Sequence, residues 1–182
     1  MQQCRYAFAL LALVVFMGTA ESQESDRSGW AVNAGIGGGI VRDEDGSETF
    51  RGGAFAWKTG IEFRTRGAIA IGFTVFDLGT AEDTVGGVDT EIRVDGIDLH
   101  ARFIFAPGET TEFYGLIGGA VYDADVSTGG GFSLFGDGAI VIGGGVDIFT
   151  GERSSIRAEA RYLEGDRNES GGYATIGFNF RF

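Results

Sequence analysis

Histidine occurs once, at position 100, inside the run Asp98-Leu99-His100-Ala101-Arg102. An imidazole two residues from a carboxylate is the raw material of acid–base chemistry. A hydrolase would also need a nucleophile within reach, yet alanine and arginine follow His100, with no adjacent serine. Cysteine also occurs once, as Cys4, and no Cys/His spacing of the zinc-binding kind exists. A packed imidazole bonded to carboxylates is therefore the favoured reading, and no catalytic, cofactor or metal residue is expected. The other charged residues point to pairing chemistry instead. Lys58, Glu62 and Arg64 share one parity, as do Asp98, His100 and Arg102, and as do Arg157, Glu159 and Arg161. Asp147 and Arg181 hold the corresponding parity in their own runs.

A shared parity has meaning only on a β-strand, where successive side chains point to opposite faces. Eight strand-like runs follow one another: 29–41, 50–63, 68–78, 92–105, 112–123, 138–149, 155–163 and the closing "GGYATIGFNFRF" at 171–182. In the last of these Ala174, Ile176, Phe178, Phe180 and Phe182 form one wholly apolar parity. Opposite the charges elsewhere stand Phe55, Trp57, Ile61 and Phe63; Ile97, Leu99 and Phe103; Ile140, Ile142 and Ile148; Ile156 and Tyr162. The run 112–123 is ambiguous: Tyr114, Leu116 and Tyr122 oppose Phe113, Ile117 and Val121, and its facing is left open.

The connections alternate in length. Short ones follow the second, fourth and sixth runs, and long, mostly acidic ones follow the first, third, fifth and seventh, at 42–49, 79–91, 124–137 and 164–171. Short turns at one rim and longer loops at the other characterise membrane β-barrels. An even strand number returns both ends of the chain to the same side.

Alternation alone permits two barrels. A soluble one would turn the apolar parity inward around a ligand; a membrane one would turn it to lipid. Side-chain bulk favours the second. Phe, Ile and Trp dominate the apolar parity, whereas glycines sit among the charges: Gly60 beside Lys58 and Glu62, Gly96 beside Asp98, Gly143 and Gly145 beside Asp147. An eight-stranded interior is just wide enough to be filled by side chains. Its six basic groups (Lys58, Arg64, Arg102, Arg157, Arg161, Arg181) nearly match four acidic ones (Glu62, Asp98, Asp147, Glu159), as buried charges must.

The beginning of the chain agrees with export. Arg5 precedes an apolar stretch from Tyr6 to Met17, then Gly18 and Ala20 at signal-peptidase spacing. Residues 1–20 are expected to be a signal peptide, 21–28 a loose periplasmic tail, and 29–182 the barrel. All 26 acidic residues and every basic one except Arg5 lie beyond residue 20, so the mature chain carries a net charge near −13. That sign argues against nucleic-acid binding.

With its glycine–aromatic hairpin texture ("FYGLIGGAVYD"), "IRAEARY" in the penultimate run and the terminal "IGFNFRF", the chain resembles the small eight-stranded outer-membrane barrels of Gram-negative bacteria, the OmpA/OmpX-like group. The resemblance implies an all-β, antiparallel up-and-down transmembrane barrel in contact with lipid and lipopolysaccharide. It implies that Phe178, Phe180 and Phe182 form an assembly signal read by the barrel-assembly machinery. It also implies a structural or surface-interaction role, with a narrow pore as the alternative; a soluble lipocalin-like barrel is the reading if the faces are inverted. Some barrels of this group hydrolyse lipid A with a His–Ser pair at the lipid face, but His100 has the inward parity. The outer loops 42–49, 79–91, 124–137 and 164–171 are the candidate contacts for an extracellular partner. Their carboxylates lack the pattern of an EF-hand and read as solvated. Phe132, Leu134 and Phe135 either meet a partner or lipid, or cap the barrel mouth. Trp30, Trp57, Tyr114, Tyr122, Tyr162 and Tyr173 are candidates for interfacial girdles.

Overall fold

The computed structural model describes residues 27–45, 48–85, 88–127, 132–165 and 170–182. Eight strands fill nearly all of them: β1 (Gly29–Asp45), β2 (Glu48–Arg64), β3 (Ile69–Val85), β4 (Val88–Ala106), β5 (Thr111–Ser127), β6 (Phe132–Phe149), β7 (Ser154–Gly165) and β8 (Ser170–Arg181). Each pairs antiparallel with its neighbours in the chain, and β8 returns to β1 through a ladder running from Ala31↔Arg181 to Arg42↔Ser170, so the barrel is closed. The signal peptide expected at 1–20 lies outside the described residues.

The ladders fix the geometry. Stepping across partners from Val32 leads to Ile61, Phe73, Leu99, Gly119, Ile140, Glu164, Ser170 and back onto β1 at Arg42, a stagger of ten residues. With strands about 4.8 Å apart and about 3.3 Å of rise per residue, that stagger over eight strands requires a tilt of about 40°.

The strands are apolar outward. Leu99 is 61% exposed and Ile176 66%, whereas Arg102 between the same walls is 0% exposed. This settles the ambiguous strand: Tyr114, Leu116 and Tyr122 are buried inside, and Phe113, Ile117 and Val121 face out. Outward apolar residues on β1 run from Trp30 to Ile40. Ten residues of strand at that tilt rise about 25 Å, the height of a hydrocarbon band. Trp30 lies against Phe63 near its lower edge, with ring centroids 5.1 Å apart, and Trp57 and Tyr162 face out near its upper part. The girdle expectation therefore holds in place for three aromatics and fails for Tyr114, Tyr122 and Tyr173, which are inside.

The long acidic connections differ from expectation. At the outer end the ladders continue to Asp45↔Glu48 and Val85↔Val88, so most of 42–49 and 79–91 is paired strand. β5 and β6 likewise remain paired as far as Val126↔Phe132, and β7 and β8 as far as Glu164↔Ser170. Above the hydrocarbon the outward residues become charged, as at exposed Glu82 and Glu91, while inward ones such as Ala81 and Thr90 are small, so the apolar-outward alternation disappears from the sequence while backbone pairing continues. The side chains of Phe132, Leu134 and Phe135 lie outside the described residues.

Lipid-facing charge should be costly at mid-height. Leu99→Arg is expected to lower unfolding stability in lipid vesicles by about 2–4 kcal/mol, read from urea titration of the heat-modifiable band on unboiled gels. An unchanged midpoint would contradict an outward Leu99.

Candidate functional site: the charged interior

The inward parity of β2, β4, β5, β6 and β7 builds three tiers. At the periplasmic end Glu112 of β5 accepts two bonds from Arg64, at 2.9 and 2.8 Å, and one from Arg27, at 2.7 Å. Arg27 also donates to the carbonyls of Gly108 and Glu109 and lies 3.7 Å above the Phe149 ring. The expected loose tail is thus tied down at its last part.

The middle tier is a closed ring of two guanidiniums and two carboxylates. Arg102 reaches Glu62 at 2.6 Å and Asp147 at 2.7 Å. Arg157 grips Asp147 at 2.7 and 2.9 Å and touches Glu62 at 3.4 Å. Both guanidiniums lie near the Tyr114 ring, 4.6 and 5.3 Å from its centroid.

In the third tier Glu159 receives Lys58, Arg161 at 2.6 Å and the Tyr114 hydroxyl at 2.8 Å. Arg161 also donates to Asp98 at 2.6 Å, and His100 Nδ1 lies 2.6 Å from the other oxygen of Asp98. Isolated ions in such an interior would cost several kcal/mol each; shared hydrogen bonds between opposite charges offset that cost. Glycine makes room for them. A Cβ on Gly72 would stand 2.5 Å from His100 Nε2, and one on Gly145 2.6 Å from the Tyr114 hydroxyl.

Above the charges the interior turns apolar. Val41, Phe76, Leu78, Ile92, Val94, Tyr122, Leu163 and Tyr173 are buried together, with Phe76 and Tyr173 stacked at 5.8 Å.

Every charge proposed from parity is buried within the wall: Lys58, Glu62, Arg64, Asp98, His100, Arg102, Asp147, Arg157, Glu159, Arg161 and Arg181. Ten of them join the tiers; Arg181 instead lies 6.0 Å from the Phe149 ring. Glu112 escaped the sequence reading because the facing of its strand was open. It shares the parity of Tyr114 and Leu116, and a carboxylate at the end of an otherwise ambiguous strand was the available signal. Asp77 also escaped. It keeps the outward parity of β3, in register with Trp57 and Asp95, yet is only 7% exposed: beside the register shift between Asp77 and Thr80, with Gly79 at φ 75°, it accepts the Gly79 amide at 2.6 Å and Arg93 at 2.9 Å. Glycine tolerates that left-handed conformation without Cβ strain. Phe178, Phe180 and Phe182 face outward beside the seam, and the Phe182 amide donates to the Trp30 carbonyl at 3.1 Å. Among the described residues no group of three His, Cys, Asp or Glu side chains is placed to hold a metal ion.

A closed eight-stranded meander with an apolar exterior and a charged interior is a transmembrane β-barrel of the outer membrane. The chain belongs to the outer membrane protein beta-barrel domain family, whose pattern matches residues 8–182. It is similar in fold to Neisserial surface protein A, at TM-score 0.68 and 16% identity, over 85% of this chain and 98% of that one. The N-terminal barrel of Pseudomonas aeruginosa OprF is similar at TM-score 0.59 and 15% identity, over 85% and 98%. Ail, the attachment invasion locus protein of Yersinia pestis, is similar at TM-score 0.54 and 20% identity, over 85% and 99%. At these identities the likeness is one of fold. No curated protein matches the chain.

The ring should behave as one unit. Arg102→Met is expected to cost about 3–5 kcal/mol by stranding buried carboxylates. Adding Glu62→Gln should recover part of that loss, and strictly additive effects in urea unfolding would show the ring to be uncoupled.

Proposed function

We propose that this barrel is closed to ions and serves the outer membrane as a structural and surface-contact element. The observation that carries this is the stacking of the paired ring under the apolar tier: Arg102, Glu62, Asp147 and Arg157 span the interior, and Phe76, Leu78, Tyr122 and Tyr173 fill it above. A hydrated ion would have to break charge-assisted bonds and then pass a dry layer. No catalytic step belongs to this reading, because His100 is held inside the wall by Asp98.

Surface contact falls to the extended hairpins. The outward side of the β3–β5 ribbon carries Glu82, Glu91, Asp95, Asp123 and Asp125 against Arg93, all exposed. Ail has been crystallised with the heparin analogue sucrose octasulfate. A polyanion has the wrong sign for the ribbon here; a basic surface or cation-bridged lipopolysaccharide has the right one. At the other end, the outward Phe178, Phe180 and Phe182 serve delivery to the barrel-assembly machinery, a reading supported by the aromatic alternation of β8 and by its place at the closing seam.

In planar bilayers the wild-type barrel should show no unitary current steps, and joint Arg157→Ala and Phe76→Ala substitution should introduce them; discrete steps from the wild type would instead establish a pore. Deleting Phe182 should reduce the folded protein in the outer-membrane fraction several-fold at equal expression. Unchanged recovery would remove Phe182 from the assembly signal.

A further inference from the structure

The ladder between β2 and β3 stops at Trp57↔Asp77, although both strands continue upward, β2 to Glu48 and β3 to Val85. Among the described residues every other ladder runs until one of its strands ends. Above the break β2 is paired only with β1, as far as Asp45↔Glu48, and β3 only with β4, as far as Val85↔Val88. This part of the wall is therefore two separate hairpins lying side by side. The break starts at the top of the apolar stretch, where the outward row of β3 passes from Val75 to Asp77; on β2, Phe55 still faces outward at 63% exposure.

Local chemistry keeps the break from healing. The Gly79 amide donates to Asp77 at 2.6 Å, so it is not given to a carbonyl of β2. Arg93 fixes that carboxylate from β4 at 2.9 Å, and the register shift between Asp77 and Thr80 carries the strand past it. The lips nevertheless touch: a Cβ on Gly79 would stand 2.2 Å from the Phe55 carbonyl oxygen. Their inward side is apolar, with Ala54 and Ala56 on β2 and Leu78 and Ala81 on β3, and it joins the buried apolar tier.

Two strands held by packing alone part at lower cost than two held by a ladder, and their free edges are a place for another molecule to enter. We infer that the upper β2–β3 seam is a lateral gate, where a hydrocarbon chain of an outer-leaflet lipid wedges between the two hairpins against Ala56 and Leu78. Lips of alanine and leucine select an apolar chain over a sugar or a charged peptide. The paired ring of Arg102, Glu62, Asp147 and Arg157 keeps the interior below shut, so entry at the seam does not open the barrel to ions.

The test is methyl and amide NMR on the folded mature protein in dodecylphosphocholine micelles. Intermolecular NOEs from the detergent chain to the methyls of Ala56 and Leu78, 0% and 1% exposed, are the expected result, with none to Val141, equally buried on β6. Every second amide of 52–56 and 80–85 should exchange with solvent at least about tenfold faster than the amides of the neighbouring β1–β2 ladder. Gly79→Ala, whose methyl would press on the Phe55 carbonyl, should strengthen both signals, and the wild-type measurements decide the matter if that variant does not fold. Absence of NOEs to Ala56 and Leu78, equal NOEs to Val141, or exchange as slow as in the β1–β2 ladder would overturn the gate.

Discussion

Inside hydrocarbon no water is available to a peptide group, so each amide and carbonyl must find its partner within the protein. For a β-structure this permits a ring of strands and forbids an edge. The remaining features follow from that requirement. Closure with eight strands and a ten-residue stagger sets the tilt, the tilt sets the height of the apolar wall, and the ring encloses an interior narrow enough for side chains from opposite walls to meet. Arg102 of β4 meets Glu62 of β2 and Asp147 of β6 because of that width.

The interior then has the opposite logic from a soluble core. Its walls present charged tips that find each other, and volume is regulated by where side chains are absent. Inward glycines on β3 and β6 leave the space occupied by His100 and Tyr114. Exchange of the buried ring for apolar groups need not destabilise a protein; what the ring supplies here is one defined arrangement of strands, since each carboxylate is shared between walls and would be stranded by a slip in register.

Much of this was legible in the chain. The parity of Arg157, Glu159 and Arg161 against Ile156, Ala158 and Tyr162 was enough to assign both faces of β7, because hydrocarbon and charge make opposite demands. Where the demands relaxed, the signal faded. Strand β5 reads as apolar on both sides because, past Glu112, its inner face carries Tyr114 against the charged ring and Leu116 and Tyr122 in the buried apolar cluster. The burial of Asp77 was unreadable because it comes from the irregularity that follows it, where the Gly79 amide and Arg93 close over its carboxylate, and that irregularity leaves no mark on composition. The reach of the outer hairpins was hidden for the related reason that outward residues such as Glu82 and Glu91 are no longer apolar there, so they cease to stand out against small inward ones such as Ala81 and Thr90. Which residues pair across the interior was beyond parity altogether, since it depends on the stagger, a property of the whole ring.

The seam between β1 and β8 joins Ala31 to Arg181, the two ends of the folded chain. Bringing such distant segments together carries a loop-closure cost of about 4 kcal/mol, and no neighbouring hairpin can supply the missing partner for either strand in the meantime. Until the final strand arrives, β1 presents a row of unsatisfied backbone groups, and the unfolded chain displays phenylalanines and isoleucines meant for lipid. Time is therefore a structural variable for this protein: between export and closure it is a sticky, open sheet, and its survival depends on how long that interval lasts and on what shields it.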